Sequence, residues 1–288
     1  MPGTTSPIGV IGGSGLYEMD GVEDVRAVRP STPFGPPSDE IMLASLGGVP
    51  LAFLPRHGRG HRLLPTEVPS RANIAALKGL GVRRILSFSA VGSLQEQYAP
   101  RDFVIPDQLV DRTRHRPDTF FGEGIVGHVA FADPFANGLA GILHDSLKGM
   151  AVRAHRGGTL VCMEGPLFST RAESELYRSW GCDLINMSAL PESKLAREAG
   201  LEYALVCMVT DYDCWREGHD DVDIQMVIAN LVANAGHAKE LLRRALPALA
   251  AAPRDEAIAN ASQFAVITAP ELRPAATVAK LKGIIDGI

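Results

Sequence analysis

Short, almost continuously apolar runs alternate with helix-like patterns along most of this 288-residue chain, and that alternation restricts the fold more than any other feature. The strand-like runs cover residues 7–11, 49–55, 84–89, 103–105, 159–163, 183–187 and 203–210. Apolar residues recur at helical spacing over 71–80, 134–147, 170–180, 191–199 and 222–246. Strands that are apolar on both sides need helices on both faces of their sheet. The pattern therefore predicts an α/β fold with a central β-sheet flanked by helices.

The pattern contains no linker, internal repeat or low-complexity segment, which indicates a single domain over residues 1–288. Within it, residues 112–127 have no clear period and are predicted to form a long functional loop. Residues 263–268 are strand-like, and the tail from about residue 269 is predicted to be peripheral. An apolar content of 46% excludes a disordered chain. A net charge of −5 without a basic run argues against a nucleic acid partner.

Neither a signal peptide nor a membrane span is visible in the sequence. The first six residues contain no basic region and no apolar region, and no stretch approaches the ~20 apolar residues that cross a bilayer. The four cysteines, Cys162, Cys182, Cys207 and Cys214, form no C-x-x-C pair, so neither a metal site nor a disulfide framework is expected. We expect a cytoplasmic protein with no membrane partner and no metal.

Several loops that follow strand-like runs carry groups that suit an anion. Gly12-Gly13-Ser14-Gly15 offers backbone N–H groups and one hydroxyl, although an ordinary tight turn has the same composition. The run Arg-His-Gly-Arg-Gly-His at 56–61 offers guanidinium forks and imidazoles, although a solvated basic turn is the alternative. Ser89 and Ser188 end two further strand-like runs. Because ligands of open α/β sheets gather at the carboxyl ends of strands, these groups are candidates for one oxyanion pocket.

Two carboxylates, Asp211 and Asp213, follow the apolar run 203–210. A helix N-cap would explain one of them but hardly both, because burial makes charge costly. At positions i and i+2 of an extended strand the two side chains share a face, and their repulsion favours a proton on one of them. A protonated acid beside an acceptor suits protonation of a leaving group.

Taken in order along the chain, these strings resemble the methylthioadenosine phosphorylases, within the trimeric branch of the purine nucleoside phosphorylases. The resemblance spans residues 8–215 and weakens toward about 268. It rests on the Gly-rich loop between Ile8 and Leu16, Thr-Pro-Phe-Gly at 32–35, Pro-Ser-Asp at 37–39, Arg-His-Gly-Arg at 56–59, Ala-Val-Gly-Ser-Leu at 90–94, Val-Asp-Arg-Thr at 110–113, Arg-Pro at 116–117, Glu-Gly-Pro at 164–166, Phe-Ser-Thr-Arg-Ala-Glu at 168–173, Asn-Met at 186–187, Leu-Pro-Glu at 190–192 and the string 210–215. It implies a nucleoside phosphorylase-like domain with a mixed central sheet, and a homotrimer whose subunits share active sites.

The resemblance implies phosphorolysis, in which inorganic phosphate attacks C1′ of 5′-methylthioadenosine and releases adenine and 5-methylthioribose 1-phosphate. Asp211 would be the catalytic acid that protonates purine N7, and Asp213 would accept a hydrogen bond from the exocyclic amine. His128 would reach a neighbouring subunit's site. The implied phosphate ligands are Ser14, Arg56, His57, Ser89 and Ser188; the purine and ribose contacts are Ala90, Gly92, Phe168, Ser169, Asn186, Met187, Asp211 and Asp213; the 5′ pocket is His61, His128, Ile224, Val227 and Ile267. Ile224 and Val227 fit core-facing helix positions equally well. Phosphate is a cosubstrate, and no cofactor is implied.

Two other functions are compatible with the sequence. A phosphorylase acting on 6-oxopurine nucleosides or methylthioinosine would share most of these motifs, but its substrate presents an acceptor at C6 that the Asp213 carboxylate repels. A nucleoside-binding sensor without turnover is expected to have lost the acid or the phosphate cluster, and the sequence retains both. The sequence therefore favours a 6-aminopurine nucleoside as substrate.

Overall fold

A mixed β-sheet forms the centre of the protein and draws its strands from most of the chain. The computed structural model describes residues 6–13, 16, 18–216 and 224–288. Within these residues the strands are β1 Ile8–Gly12, β2 Val22–Val28, β3 Ile41–Leu46, β4 Val49–Pro55, β5 Arg84–Ser93, β6 Phe103–Ile105, β7 Gln108–Arg112, β8 Ala154–Arg156, β9 Thr159–Met163, β10 Leu184–Asn186 and β11 Glu202–Asp211. The α-helices of the same residues are α1 Ser70–Gly79, α2 Asn137–Leu147, α3 Arg171–Ser179, α4 Ala189–Glu198, α5 Ile224–Ala251, α6 Glu256–Ala259 and α7 Ala275–Leu281.

Strand β5 organises the sheet because it pairs with three neighbours. It is parallel to both β1 and β11, and its last two residues pair with antiparallel β10. From β5 the sheet continues through β1, β4 and β3 to β2 on one side, and through β10 and β9 to β7 on the other. Strand β11 also pairs with β6, which in turn pairs with β8. The carboxyl ends of β1, β4, β5 and β11 therefore meet at one edge of the sheet.

Helices cover both faces of the sheet through two hydrophobic clusters. Successive residues of a strand alternate between faces, and Ile85 and Leu86 of β5 accordingly belong to different clusters. Ile74 of α1 packs in the cluster of Ile85, whereas Leu143 of α2 and Leu242 of α5 pack in the cluster of Leu86. Full burial of such a side chain contributes ~1.5–3 kcal/mol. These contacts hold the strand ends in fixed relative positions.

The predicted α/β fold with a mixed sheet and flanking helices is confirmed. Each predicted central strand has a counterpart, whereas β2, β3, β7 and β8 are not predicted from the sequence. Strand β2 is not predicted because it is an edge strand with five consecutive exposed residues. It therefore lacks the apolar run by which a strand is recognised. The long loop predicted at 112–127 begins at the last residue of β7, and beyond Arg112 it contains no helix and no strand, only isolated bridges at Gly122, Ile125 and Gly127.

Two expectations for the C-terminal region are wrong. Residues 263–268 do not form a strand, because the chain turns there and only Val266 forms an isolated bridge, to Gly127. The tail from residue 269 is not peripheral throughout, since Leu281, Ile284 and Ile285 are buried in the cluster of Ile85. Leu281 ends α7, Ile284 and Ile285 lie in the turn that follows it, and together the three side chains complete the core.

The described residues include no helix with the length and apolar character that a membrane span requires. The four cysteines are free, and Cys162, Cys182 and Cys207 are buried. Burial raises the pKa of the Cys162 thiol to about 12, so this side chain packs as a small apolar group.

Candidate active site

Arg56 directly follows β4, and its guanidinium is buried at the edge where the parallel strands end. Its Nε and Nη2 donate to the two carboxylate oxygens of Glu192, at 2.5 and 3.1 Å. Nη2 also donates to Ser87 Oγ at 2.6 Å, and Nη1 donates to the Phe88 carbonyl at 3.1 Å. Burial alone would lower the pKa of Arg56, but the Glu192 carboxylate raises it above its ordinary value. The arginine therefore stays charged inside the protein.

His57 lies beside Arg56 in a half-buried position, with the His61 ring stacked on it at a centroid distance of 4.3 Å. Burial and the nearby Arg56 charge lower the pKa of His57 to about 4. The imidazole is therefore neutral at physiological pH. Its Nδ1 lies 2.9 Å from the Leu63 carbonyl oxygen, which requires the proton on Nδ1 and leaves Nε2 as an acceptor.

The cationic cluster predicted after β4 divides into two parts. Arg56 and His57 border a small cavity that Ser188 also lines. Arg59 is instead paired with Asp39: its backbone N–H donates to Asp39 Oδ2 at 2.8 Å, and its Nη2 lies 3.3 Å from Asp39 Oδ1. Only the first part of the cluster can meet a ligand in that cavity.

Ser89 of β5 and Ser188, just after β10, form a pair of hydroxyls 2.8 Å apart. They meet because β10 is antiparallel to the end of β5 and returns along it. The Asn186 side-chain amide donates to both hydroxyls, at 3.1 and 3.4 Å. These three predicted residues thus lie together at the edge that carries Arg56. Ser14, also predicted to bind phosphate, lies outside the described residues.

Asp211 is the last residue of β11, and its side chain is buried at the same edge. Asp211 Oδ1 accepts from Thr210 Oγ1 at 2.6 Å, and Oδ2 accepts from the backbone N–H of Asp213 at 3.1 Å. Asp213 lies in the following turn with a φ of 26°. The expectation that both carboxylates project from one extended strand is therefore wrong, because the chain turns directly after Asp211. Asp213 Oδ2 is buried and has no hydrogen-bond partner among the described residues.

Gly92 of β5 leaves the space that the two acids occupy. A Cβ atom at Gly92 would lie 3.1 Å from Asp211 Oδ2 and 2.9 Å from Ile185 Cγ2, with Asp213 Cβ at 3.6 Å. Any side chain there would push the Asp211 carboxylate away from β5. Gly92, which the resemblance assigns to the purine, thus lies next to both acids.

Burial controls the protonation of both carboxylates. Loss of hydration raises the pKa of Asp211 from 3.8 to about 6, and the charge of Asp213 adds a smaller increase. Burial likewise raises the pKa of Asp213. The sequence interpretation gives repulsion between the acids as the cause of the raised pKa, but burial makes the larger contribution. The result is an acid that stays mostly protonated up to about pH 6 beside a second buried carboxylate.

The segment that carries the two acids is anchored from both sides. Trp215 Nε1 donates to the Ser93 carbonyl at 2.8 Å, and the Arg178 guanidinium lies 3.6 Å from the centroid of the indole ring. On the other side, Asn230 of α5 donates from Nδ2 to the Thr210 carbonyl at 2.7 Å. These contacts fix the backbone immediately before and after the acids.

Several residues that the resemblance assigns to the purine and ribose lie close to this edge. Ser169 is close enough to Asp213 for its hydroxyl to lower the pKa of that carboxyl. The Met187 thioether packs against Gly165, where a Cβ atom would collide with it. Phe168 is 46% exposed, and Ala90 accepts a hydrogen bond from Ser89 Oγ at 2.9 Å through its carbonyl.

The sequence model of the phosphorylase superfamily matches residues 7–247 of the chain. S-methyl-5′-thioadenosine phosphorylase from Koribacter versatilis is 56% identical over 280 residues, which cover 96% of this chain and 95% of that protein. The corresponding protein from Geobacter sulfurreducens is 52% identical, with coverages of 96% and 97%. The chain belongs to this phosphorylase family.

Solved structures of the phosphorylase family have the same fold. A methylthioadenosine phosphorylase from an antarctic soil metagenomic library superposes with a TM-score of 0.93 at 46% identity, over 98% of this chain and 100% of that chain. The methylthioadenosine phosphorylase of Schistosoma mansoni in complex with adenine gives a TM-score of 0.83 at 37% identity, over 88% and 94% of the two chains.

Of the residues predicted to surround the 5′ substituent, the structure describes the side chains of His61, His128, Val227 and Ile267. Val227 is half-buried near the start of α5, whereas the side chain of Ile224 lies outside the described ones. His61 stacks on His57. His128 and Ile267 belong to adjacent, bridged segments and are both exposed, Ile267 by 65%.

Two buried charged residues of the phosphorylase site are absent from the sequence prediction. Glu192 pairs with Arg56. Arg116, from the loop after β7, donates from Nη1 to the carbonyls of Met187 and Leu190, both at 2.6 Å, and so ties this loop to the residue beside Ser188. Both stand in motifs that carry the family resemblance, Arg-Pro at 116–117 and Leu-Pro-Glu at 190–192. The motifs themselves were the available signal, since the local sequence around Arg116 is rich in charged residues and does not distinguish it from its neighbours.

Proposed function

We propose that this protein catalyses the phosphorolysis of 5′-methylthioadenosine to adenine and 5-methylthioribose 1-phosphate. The observation that carries the proposal is the buried Asp211, with a pKa of about 6, at the sheet edge that also holds Arg56 and His57. A poor leaving group such as adenine needs an acid with a raised pKa, because such an acid still holds its proton in part of the molecules near neutral pH. The relatives named for this activity align over almost their whole length.

In the proposed reaction the C1′–N9 bond breaks and its electron pair moves into the purine, while a phosphate oxygen forms the new bond to C1′. Asp211 gives its proton to N7, so adenine leaves as a neutral molecule. At pH 7, roughly a tenth of the Asp211 side chains hold the proton, because the pKa of about 6 lies one unit lower. The anionic phosphate stabilises the positive charge that develops on the ribose.

The phosphate would meet one guanidinium and several neutral groups. Arg56 is a donor, and the hydroxyls of Ser89 and Ser188 become donors when their protons turn toward phosphate from the Ala90 carbonyl and from each other. His57 is neutral because its pKa is about 4, and its Nδ1 is committed to the Leu63 carbonyl. Its Nε2 would therefore accept the hydrogen of monohydrogen phosphate. Such a site orients the nucleophile without adding a second full positive charge.

Asp213 supports adenine rather than a 6-oxopurine as the leaving base. Its buried Oδ2 has no partner within the described part of the chain, and the exocyclic amine of adenine would supply one. Hypoxanthine presents a carbonyl oxygen at that position. Leaving a buried acceptor unpaired costs ~1–3 kcal/mol, which corresponds to a preference of about ten-fold or more.

We further propose that the chain works as one domain in a cytoplasmic homotrimer, with phosphate as cosubstrate and no cofactor. His128, Ile267 and Phe264 are exposed in a single subunit, Phe264 by 89%. A neighbouring subunit would cover this apolar surface and bring it to the 5′ pocket near Val227. Light scattering in solution tests the assembly, and a mass other than three subunits contradicts it.

A substrate panel with and without inorganic phosphate tests the proposed activity. Chromatography would quantify adenine released from 5′-methylthioadenosine and hypoxanthine released from 5′-methylthioinosine. We expect phosphate-dependent adenine release and about ten-fold less hypoxanthine release. Equal or greater hypoxanthine release would assign a 6-oxopurine phosphorylase. Tight binding of 5′-methylthioadenosine without phosphate-dependent turnover would assign a sensor.

A further inference from the structure

Glu192 is a buried carboxylate at the start of α4, 1% exposed, that is directed toward the proposed phosphate site. Its two oxygens accept from Nε and Nη2 of Arg56. Oε2 also accepts from Ser87 Oγ at 3.0 Å and from the Tyr203 hydroxyl at 2.9 Å. Donors from three separate places, the residue after β4, strand β5 and strand β11, thus converge on one carboxylate of α4.

The hydrogen bonds of Arg56 leave a single donor for a ligand. A guanidinium carries five N–H groups. Among the described residues, Glu192 and Ser87 use the N–H of Nε and both of Nη2, and the Phe88 carbonyl uses one of Nη1. One N–H of Nη1 remains, on a guanidinium that borders the same cavity as His57. The network therefore selects which edge of the arginine meets the anion.

A carboxylate next to an anion site opposes anion binding by its charge, so attraction of phosphate cannot be its role. A buried arginine without a counter-charge strongly destabilises a fold, which gives Glu192 a structural reason to be present. Compensation of the arginine charge alone could be provided by any carboxylate in contact with it. It does not require the two-point contact with Nε and Nη2, which fixes the plane of the guanidinium.

We propose that Glu192 is a positioning residue for the phosphate cosubstrate, acting through Arg56. It holds the guanidinium so that one Nη1 donor meets phosphate, and it cancels the arginine charge so that the bound phosphate keeps its own negative charge. A phosphate that is not neutralised by its site remains a better nucleophile and stabilises the cationic ribose more strongly. This inference rests on the proposed phosphorolysis.

The first test is Glu192→Gln, which keeps the size of the side chain but removes its charge and one acceptor. We expect the KM for phosphate to rise about ten-fold, as losses of supporting contacts do at metal sites, with the KM for 5′-methylthioadenosine within two-fold of wild type. The matched control is Glu198→Gln on the same helix, whose carboxylate accepts from Thr119 and the Phe120 backbone. It should leave the KM for phosphate unchanged.

Two results with Glu192→Gln would overturn the proposal. A lower KM for phosphate would mean that the carboxylate acts only by repelling the anion. An unchanged KM for phosphate together with a lower melting temperature would mean that Glu192 only stabilises the fold, as Glu198→Gln is expected to show.

A milder variant covers the case in which Glu192→Gln does not fold. Tyr203→Phe removes one donor to Glu192 but keeps the ring that stacks on Phe135. We expect a rise of about three-fold in the KM for phosphate, less than for loss of the carboxylate itself; no rise would overturn the proposal.

Thermal stabilisation by inorganic phosphate alone distinguishes a failure of the proposed function from a failure of the positioning role of Glu192. If the wild type binds phosphate but releases no adenine, the proposed function fails. If phosphate stabilises the wild type and the Tyr203→Phe protein equally, the positioning role fails.

Discussion

Replacing Asp211 with asparagine should make the protein more stable at neutral pH while removing most of its activity. Below pH 3.8 the wild-type side chain is protonated in both the folded and the unfolded state, so it carries no penalty. As the pH rises, the unfolded chain ionises first, while burial keeps the proton on the folded protein. The stability that this group contributes is therefore lost as the pH rises through about 6.

The size of the effect follows from the pKa. A rise from 3.8 to about 6 corresponds to ~3 kcal/mol of penalty on the folded state above pH 7, at about 1.4 kcal/mol for each pKa unit. Asparagine has no such penalty, but its amide loses one of the hydrogen bonds from Thr210 or Asp213, at ~1 kcal/mol. We expect Asp211→Asn to be ~2 kcal/mol more stable than wild type at pH 8, and no more stable than wild type at pH 4.

Urea unfolding of both proteins between pH 4 and pH 8 measures this difference. Asp39→Asn is a control of opposite sign: burial alone would raise the pKa of Asp39, but hydrogen bonds from the Arg59 and Glu40 backbones outweigh it and the pKa is lowered. That variant should lose stability, and more so at pH 8 than at pH 4. A difference for Asp211→Asn that does not change with pH would refute the assignment of a raised pKa. The kcat of the Asp211→Asn protein should fall by ~10²–10⁴, the usual contribution of a general acid.

Three further substitutions test other parts of the site. Asp213→Asn should lower the ratio of kcat/KM for 5′-methylthioadenosine to that for 5′-methylthioinosine by about ten-fold or more. An unchanged ratio would show that Asp213 does not discriminate between the two bases. Gly92→Ala should cost ~1–3 kcal/mol in urea unfolding and lower kcat, because its Cβ displaces Asp211; wild-type values of both would contradict the close approach. Val227→Asn should raise the KM for 5′-methylthioadenosine more than that for adenosine, and equal effects on the two would remove Val227 from the 5′ pocket.

The sequence predicts the centre of this fold well because its central strands are buried on both faces and therefore nearly continuously apolar. Strand β11, all of whose residues are buried, is of this kind, and so is most of β5. Strand β2 lies at the edge and is mostly exposed, so its sequence carries no comparable signal. The buried segment with Leu281, Ile284 and Ile285 is short. Its apolar spacing therefore does not distinguish it from a helix on the surface.

The candidate site is predictable to the extent that its residues follow strands. Asp211 and Arg56 stand directly at strand ends, where parallel strands bring side chains together. Glu192 is paired with Arg56 across 136 positions, and no local pattern records that contact. The turn that brings the Asp213 N–H to Asp211 is likewise a property of the folded chain. Motifs of the resemblance contain Glu192, but its role becomes apparent only from the hydrogen bonds.

The stoichiometry of the reaction tests the central claim most directly. Wild-type protein would be incubated with 5′-methylthioadenosine and a limiting amount of inorganic phosphate, and adenine, free phosphate and the sugar product would be quantified. The account predicts one adenine and one 5-methylthioribose 1-phosphate for each phosphate consumed, with no adenine in phosphate-free buffer. Adenine release that continues without phosphate and yields free 5-methylthioribose would contradict it, because water rather than phosphate would then be the nucleophile.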